Sequence, residues 1–131
     1  MKFSEWMTQK AHEKGAGILF TDGKKVLLLK RLSSHKGTWV PPGGGPEDNE
    51  IPIETARRES KEECGFNKGK ALVKFKSKNG FYTFVVRLNK TFTPKISSEH
   101  SEAKWIDIKD VEKYKLHPDF KKDWHELLKM I

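Results

Sequence analysis

The run PPGGGPEDNEIPIETARRESKEECGF, from Pro41 to Phe66, constrains the fold of this chain more than any other stretch. Pro41-Pro42 stops any regular element, and Gly43-Gly44-Gly45 frees the backbone to bend sharply. Pro52 suits the first turn of a helix, where a missing N–H costs nothing, so the spacing predicts a helix from Pro52 to about Cys64, ended by Gly65. At 100° per residue, Ile53, Ala56, Ser60 and Cys64 fall on one side of it, while Glu59, Glu62 and Glu63 spread from the flank to the opposite side. Such a helix needs an apolar surface for its uncharged side to cover.

The flanking sequence supplies strands for that surface. AGILFT and KVLLLKR flank Asp22-Gly23, and ALVKFKS and FYTFVVRL flank Asn79-Gly80; both dipeptides are hairpin signals, because glycine accepts the positive φ that such turns require. AKWIDI reads as a further strand. IKDVEKY and PDFKKDWHELLKMI read as helical pieces, the last amphipathic through Phe120, Trp124, Leu127, Leu128 and Ile131. Phe3, Trp6, Met7 and Lys10-Ala11 recur at helical spacing and suggest a short N-terminal helix or arm within residues 1–14. The expectation is an α+β fold, a central mixed sheet between helices, and with 131 residues a single domain spanning 1–131.

The acidic helix contrasts with the rest of the chain, whose formal net charge is +8. The remaining surface must be strongly basic, which suits an anionic partner, although a lysine-rich solvated surface accounts for the charge equally well. Cys64 is the only cysteine, so no internal disulfide forms, and its setting between Glu63 and Gly65 suits a small helix residue better than a nucleophile. The first residues lack a signal-peptide pattern and no run reaches membrane-spanning length; a cytoplasmic protein with no membrane partner is expected.

Glu59 stands three residues from Glu62 and four from Glu63, spacings at which helical side chains meet, so the three carboxylates can converge on one point outside the helix. In an exposed setting their repulsion is only about a few tenths of a kcal/mol per pair. A solvated acidic face balanced by Arg57, Arg58 and Lys61 is therefore one reading. The other rests on the loop in front. Hard divalent cations take oxygen ligands and bridge carboxylates to substrate phosphates, and a glycine turn adds a carbonyl and lets phosphate approach unobstructed. Glu50 can pair with Arg58 to hold that loop against the helix.

Gly44, Glu50 and the run Arg58-Glu59-Ser60-Lys61-Glu62-Glu63-Cys64-Gly65-Phe66 together resemble the Nudix box, GX5EX7REUXEEXGU, with U a bulky apolar residue. Every fixed letter is present. Ser60 departs from the pattern, standing where the family usually carries an apolar residue, and the helical wheel points it inward.

The resemblance implies the Nudix fold and hydrolysis of a diphosphate linkage in nucleoside diphosphates joined to a group X, with water as the nucleophile. It implies that Glu59, Glu62 and Glu63 bind Mg²⁺ or Mn²⁺ with help from the Gly44 carbonyl, and that Glu50 and Arg58 brace the site. The general base varies in the family. Glu63 and Glu102 are the candidates, Glu62 is included among the catalytic carboxylates, and Glu99 is a weaker alternative.

For substrate, Gly43 and Gly44 would line the phosphate path and Arg31, ending a strand, could contact phosphate. His35 and Lys36 could reach a phosphate tail, while Trp39, Phe81 and Tyr82 are candidate stacking surfaces. The expected partner is a small nucleotide, foremost a nucleoside or deoxynucleoside triphosphate cleaved to monophosphate and pyrophosphate. A 5′ RNA end, a dinucleoside polyphosphate or a nucleotide sugar remains open as substrate, as does a homodimer; a non-catalytic binding module is disfavoured because all the box glutamates are kept.

Overall fold

A computed structural model describes residues 14–131; the helix or arm expected before Lys14 lies outside them. Strands β1 (Ala16–Thr21) and β2 (Lys25–Arg31) are followed by the two-residue strands β3 (Trp39–Val40) and β4 (Gly43–Gly44), then helix α1 (Pro52–Cys64). Strands β5 (Ala71–Lys76), β6 (Tyr82–Arg87) and β7 (His100–Asp107) come next, then a 3₁₀ helix (Ile108–Lys113) and helix α2 (Pro118–Leu128).

The strands form one mixed sheet in the order β3-β2-β1-β6-β5, with β4 added to β1 and β7 to β2. Only β1 and β6 run parallel; the other pairs are antiparallel. The central strand β1 is buried along its whole length, and alternation sends its side chains to two cores. Ile18, Phe20, Leu27, Leu29, Phe84 and Val86 pack with Ala56 and Cys64 of α1 on one face. Leu19, Val26, Leu28, Val85 and Ile106 pack with Val111, Phe120, Trp124 and Leu127 on the other. The sheet therefore lies between α1 and the C-terminal helices, which is the α+β sandwich expected from the sequence.

Helix α1 has the expected bounds for local reasons. Pro52 occupies the first turn, Glu54 Oε1 reaches back to accept the Ile51 N–H at 3.0 Å, and Gly65 closes the helix at φ 77° with its N–H donating to the Lys61 carbonyl. Ser60 is fully buried, and its hydroxyl donates to the Phe66 carbonyl at 2.5 Å. The polar residue at an apolar position is thus satisfied by the chain leaving the helix. Cys64 is buried beside it, as a small packing residue.

Two local expectations are corrected. Pro41-Pro42 and the glycines do not form a freely bending loop: Gly43 and Gly44 pair with Gly17 and Ala16, and the Pro42 carbonyl accepts the Ile18 N–H at 3.0 Å. A Cβ on Gly43 would lie 2.7 Å from Gly17 Cα, so glycine there permits close backbone approach. Strand β7 starts at His100, before AKWIDI, because its residues pair with β2 as far as Arg31. IKDVEK is helical as expected, in the form of a 3₁₀ helix.

Candidate active site

Two groups converge on β4 from opposite sides. From α1, Glu63 Oε1 accepts the Gly43 N–H at 2.7 Å, and Glu59 Oε2 lies where a side chain on Gly44 would have to go. Glycine at 44 is therefore needed to admit a carboxylate. From the other side, Gly43 and Gly44 help to wall a cleft of about 280 Å³ between the sheet and α2. None of the three helix glutamates lines that cleft, so β4 is the partition that cleft and carboxylates share.

Arg58 holds this arrangement together. Its Nε and Nη2 donate to the two oxygens of Glu50 at 2.8 and 3.0 Å, and Nη2 also donates to the Gly45 carbonyl at 2.8 Å. Nη1 donates to Glu59 at 2.6 Å and to Glu62 at 3.2 Å. Glu50 further accepts the Glu47 N–H and the Thr55 hydroxyl, so its carboxylate fastens the loop to the first turns of α1. The Arg58 hydrogen bonds are the main reason that the Glu50 carboxyl falls to about 2.

Glu63 was placed by the wheel toward the outer side of α1, but its side chain is buried, with the residue 6% exposed. Burial is the main cause that pushes its carboxyl up to about 8, with the charges of Glu59 and Glu99 adding to it against the Gly43 hydrogen bond. Burial also raises Glu59, opposed by Arg58. Glu62 is turned outward, its side chain 55% exposed. Its contact with Arg58 Nη1 still brings it beside Glu59, whose carboxyl it helps to raise, yet among the described residues no group of three His, Cys, Asp or Glu side chains is arranged to hold a metal. The donor set nonetheless suits a hard cation: Glu63 is buried and Glu59 half-buried, burial is the first cause that raises both carboxyls, and their oxygens border a backbone turn.

The remaining sequence candidates separate by position. Arg31 and Phe81 line the cleft with Gly43 and Gly44. Trp39 does not; it is 6% exposed and packs edge-on against Tyr114 in the core under α2. Tyr82 is likewise buried, in the core under α1. Lys36 is exposed in its loop, while the His35 ring lies 4.4 Å from that of His117, a cleft residue.

Glu102 pairs with Lys30 and Lys104 at 4.0 Å and alternates in phase with Ile106, which belongs to the core under α2. It therefore stands on the sheet face opposite α1. Glu99 is the later carboxylate whose charge bears on Glu63, and Ser97 of its loop donates to the Glu63 carbonyl at 3.3 Å. Sequence reasoning also missed His100, Asp119 and Asp123 as cleft residues. Burial, and after it the charge of Asp119, raises the Asp123 carboxyl above its ordinary value. The i,i+4 pair at the start of the last helix was the available signal.

The fold is thus a mixed sheet between helices, with a carboxylate-bearing helix docked on a glycine strand beside a cleft. A family model for the NUDIX domain matches residues 11–128, and the chain belongs to that family. It is 31% identical over 130 residues, 86% of the chain, to a Mycobacterium tuberculosis protein provisionally named 8-oxo-dGTP diphosphatase 3, and spans 60% of that relative's length. Two solved structures share the fold: a Nudix hydrolase from M. smegmatis, RenU (TM-score 0.73, 21% identity, 94% of each chain), and a C. elegans Ap4A hydrolase in a binary complex (TM-score 0.74, 22% identity, 89% of this chain and 97% of that one).

Proposed function

We propose that this chain is a Mg²⁺-dependent pyrophosphohydrolase that cleaves nucleoside or deoxynucleoside triphosphates to monophosphate and pyrophosphate. The observation that carries this reading is the double use of β4, whose Gly43 and Gly44 border a cleft on one side and receive Glu63 and Glu59 on the other. A nucleoside in the cleft would lead its phosphates across two residues without side chains to the carboxylates. The cleft, about 280 Å³, is near the small end of ligand sites and suits one nucleoside. The name of the mycobacterial relative supports the same class of substrate.

Glu59 and Glu63 would hold the cation, joined by Glu62 when it exchanges its 3.2 Å contact with Arg58 for the metal. When bound, Mg²⁺ would neutralise phosphate oxygens and lower the pKa of an attacking water. Arg31 would bind phosphate from the cleft side, Phe81 would offer a ring to the base, and Asp119 and Asp123 would accept its N–H groups. Arg58 and Glu50 would fix the loop, and Glu99 is better placed than Glu102 to take a proton near Glu63.

The test is incubation with nucleoside triphosphates, dinucleoside polyphosphates, nucleotide sugars and 5′-triphosphorylated or capped RNA, with Mg²⁺ or Mn²⁺, in ¹⁸O-labelled water. Monophosphate and pyrophosphate from triphosphates, lost with a chelator and restored by Mg²⁺, is the expected result. Turnover confined to RNA or to another member of the panel would replace the proposed substrate, and no turnover by folded protein would end the reading.

A further inference from the structure

His100 opens β7 opposite Arg31, at the irregularity that interrupts the β2–β7 pairing. The residue is 5% exposed, and its ring stands in the cleft wall with Arg31. Its Nδ1 is buried without a hydrogen-bond partner, the only such side-chain nitrogen or oxygen among the described residues. Among the described residues Nε2 has no partner either, but it is not sealed off as Nδ1 is, so of the two it is the ring nitrogen that an acceptor can reach.

That asymmetry fixes the proton. A neutral imidazole carries one N–H, and orphaned buried donors are rarer in proteins than orphaned acceptors. The proton therefore belongs on Nε2, where an acceptor can arrive, leaving the bare Nδ1 inside. Burial foremost, then the charge of Arg31, pulls His100 below the usual histidine range, with Glu99 opposing, so the ring is neutral near pH 7. The result is a rigid, uncharged donor beside a cationic one.

Position indicates the acceptor. Arg31 acts electrostatically on both His100 and Glu63, so this wall is the part of the cleft that faces the carboxylates. We propose that His100, as its Nε2–H tautomer, is a substrate-binding residue that donates to a phosphate oxygen of the nucleotide beside Arg31. This rests on the reading of nucleotides as substrates and adds a phosphate contact that no motif in the sequence marks.

The experiment compares wild type, His100→Leu and His100→Gln in Mg²⁺-dependent hydrolysis of dGTP and in calorimetric binding of dGMP and of deoxyguanosine. In His100→Leu, KM for dGTP and Kd for dGMP should rise about tenfold, the loss expected for one hydrogen bond to a charged group, with a smaller change in kcat and none in deoxyguanosine binding. His100→Gln, whose amide N–H reaches the place of Nε2, should recover most of the loss. Unchanged KM and Kd in folded His100→Leu would overturn the proposal. An equal loss for dGMP and deoxyguanosine would put His100 against the base and overturn it too. Should the leucine variant not fold, ¹⁵N–¹H correlation spectra of the wild-type imidazole decide: a proton on Nε2 that shifts on adding dGMP supports the assignment, and one on Nδ1 defeats it. Wild-type protein that binds dGMP but hydrolyses no nucleotide would count against the hydrolase reading alone.

Discussion

Glu63 accepts the backbone N–H of Gly43 at 2.7 Å across 20 residues of sequence, and this single bond docks the helix carboxylates on the strand that walls the cleft. Glutamine can accept the same hydrogen bond through its carbonyl but carries no charge. Glu63→Gln should therefore keep its melting temperature while Mg²⁺-dependent turnover falls at least about a hundredfold, the scale of losing a metal ligand or general base. Steady-state kinetics beside thermal melts check this, and near-normal turnover would remove Glu63 from the chemistry.

Neighbouring glycines should fail differently. A Cβ on Gly43 meets the backbone, 2.7 Å from Gly17 Cα and 2.8 Å from the Ala16 carbonyl oxygen, whereas a Cβ on Gly44 meets the Glu59 carboxylate. Gly43→Ala should lower the melting temperature by separating β4 from β1. Gly44→Val should fold and lose activity, because Glu59 must leave its place and its 2.6 Å bond with Arg58. Calorimetric melts and turnover, measured on both variants, distinguish the two failures; full activity in folded Gly44→Val would contradict the second.

Acid should reveal the Glu50–Arg58 brace. The Glu50 carboxyl lies at about 2 in the folded protein, below its ordinary 4.5, chiefly through the Arg58 hydrogen bonds. A depressed folded-state pKa gives stability that is fully present above 4.5 and is lost as pH falls from there toward 2. Glu50→Gln lacks that contribution, so its stability should decline less steeply than that of wild type across the window. Denaturant midpoints at pH 5, 4 and 3 test it, and parallel declines would deny the brace its role.

The two later glutamates should rank in the order of their positions. Glu99→Gln is expected to lower kcat by about tenfold or more, within the range of lost general base catalysis. Glu102→Gln, on the opposite sheet face between Lys30 and Lys104, should change kcat by less than about twofold. Equal kcat values for Glu99→Gln and wild type would return the base to Glu63 or to another group.

Ser60→Leu supplies the apolar residue that the Nudix box usually has at this position, yet it should destabilise this protein. It would overfill a fully buried site and deprive the Phe66 carbonyl of its 2.5 Å hydrogen bond. Each effect costs about 1–3 kcal/mol. A melting temperature equal to or above that of wild type would show that the helix has slack here.

Helix α1, the two glycine turns and the positions of most strands were legible in the sequence because their causes lie within a few residues: Pro52 and Glu54 at one helix end, Gly65 at the other, Gly23 and Gly80 in turns at φ 97° and 93°. The brace was legible for the related reason that Glu50 and Arg58 are tied to the same helix start. The fate of the aromatics was not. Trp39 and Phe81 look alike as candidates, but one enters the core and the other the cleft according to which elements pack beside them.

What the sequence determined by itself was a carboxylate-bearing helix behind a glycine loop, set among strand pairs, because propensity and spacing are properties of neighbouring residues. Tertiary structure alone decided that Glu63 turns inward onto Gly43, that Glu102 and Glu99 part company, and that His100 joins Arg31 in one wall. Those outcomes depend on strand register, and the irregularity between Lys30 and Arg31 changes which side chains share a face. Such a shift is set by how distant segments pair, so no local pattern announces it.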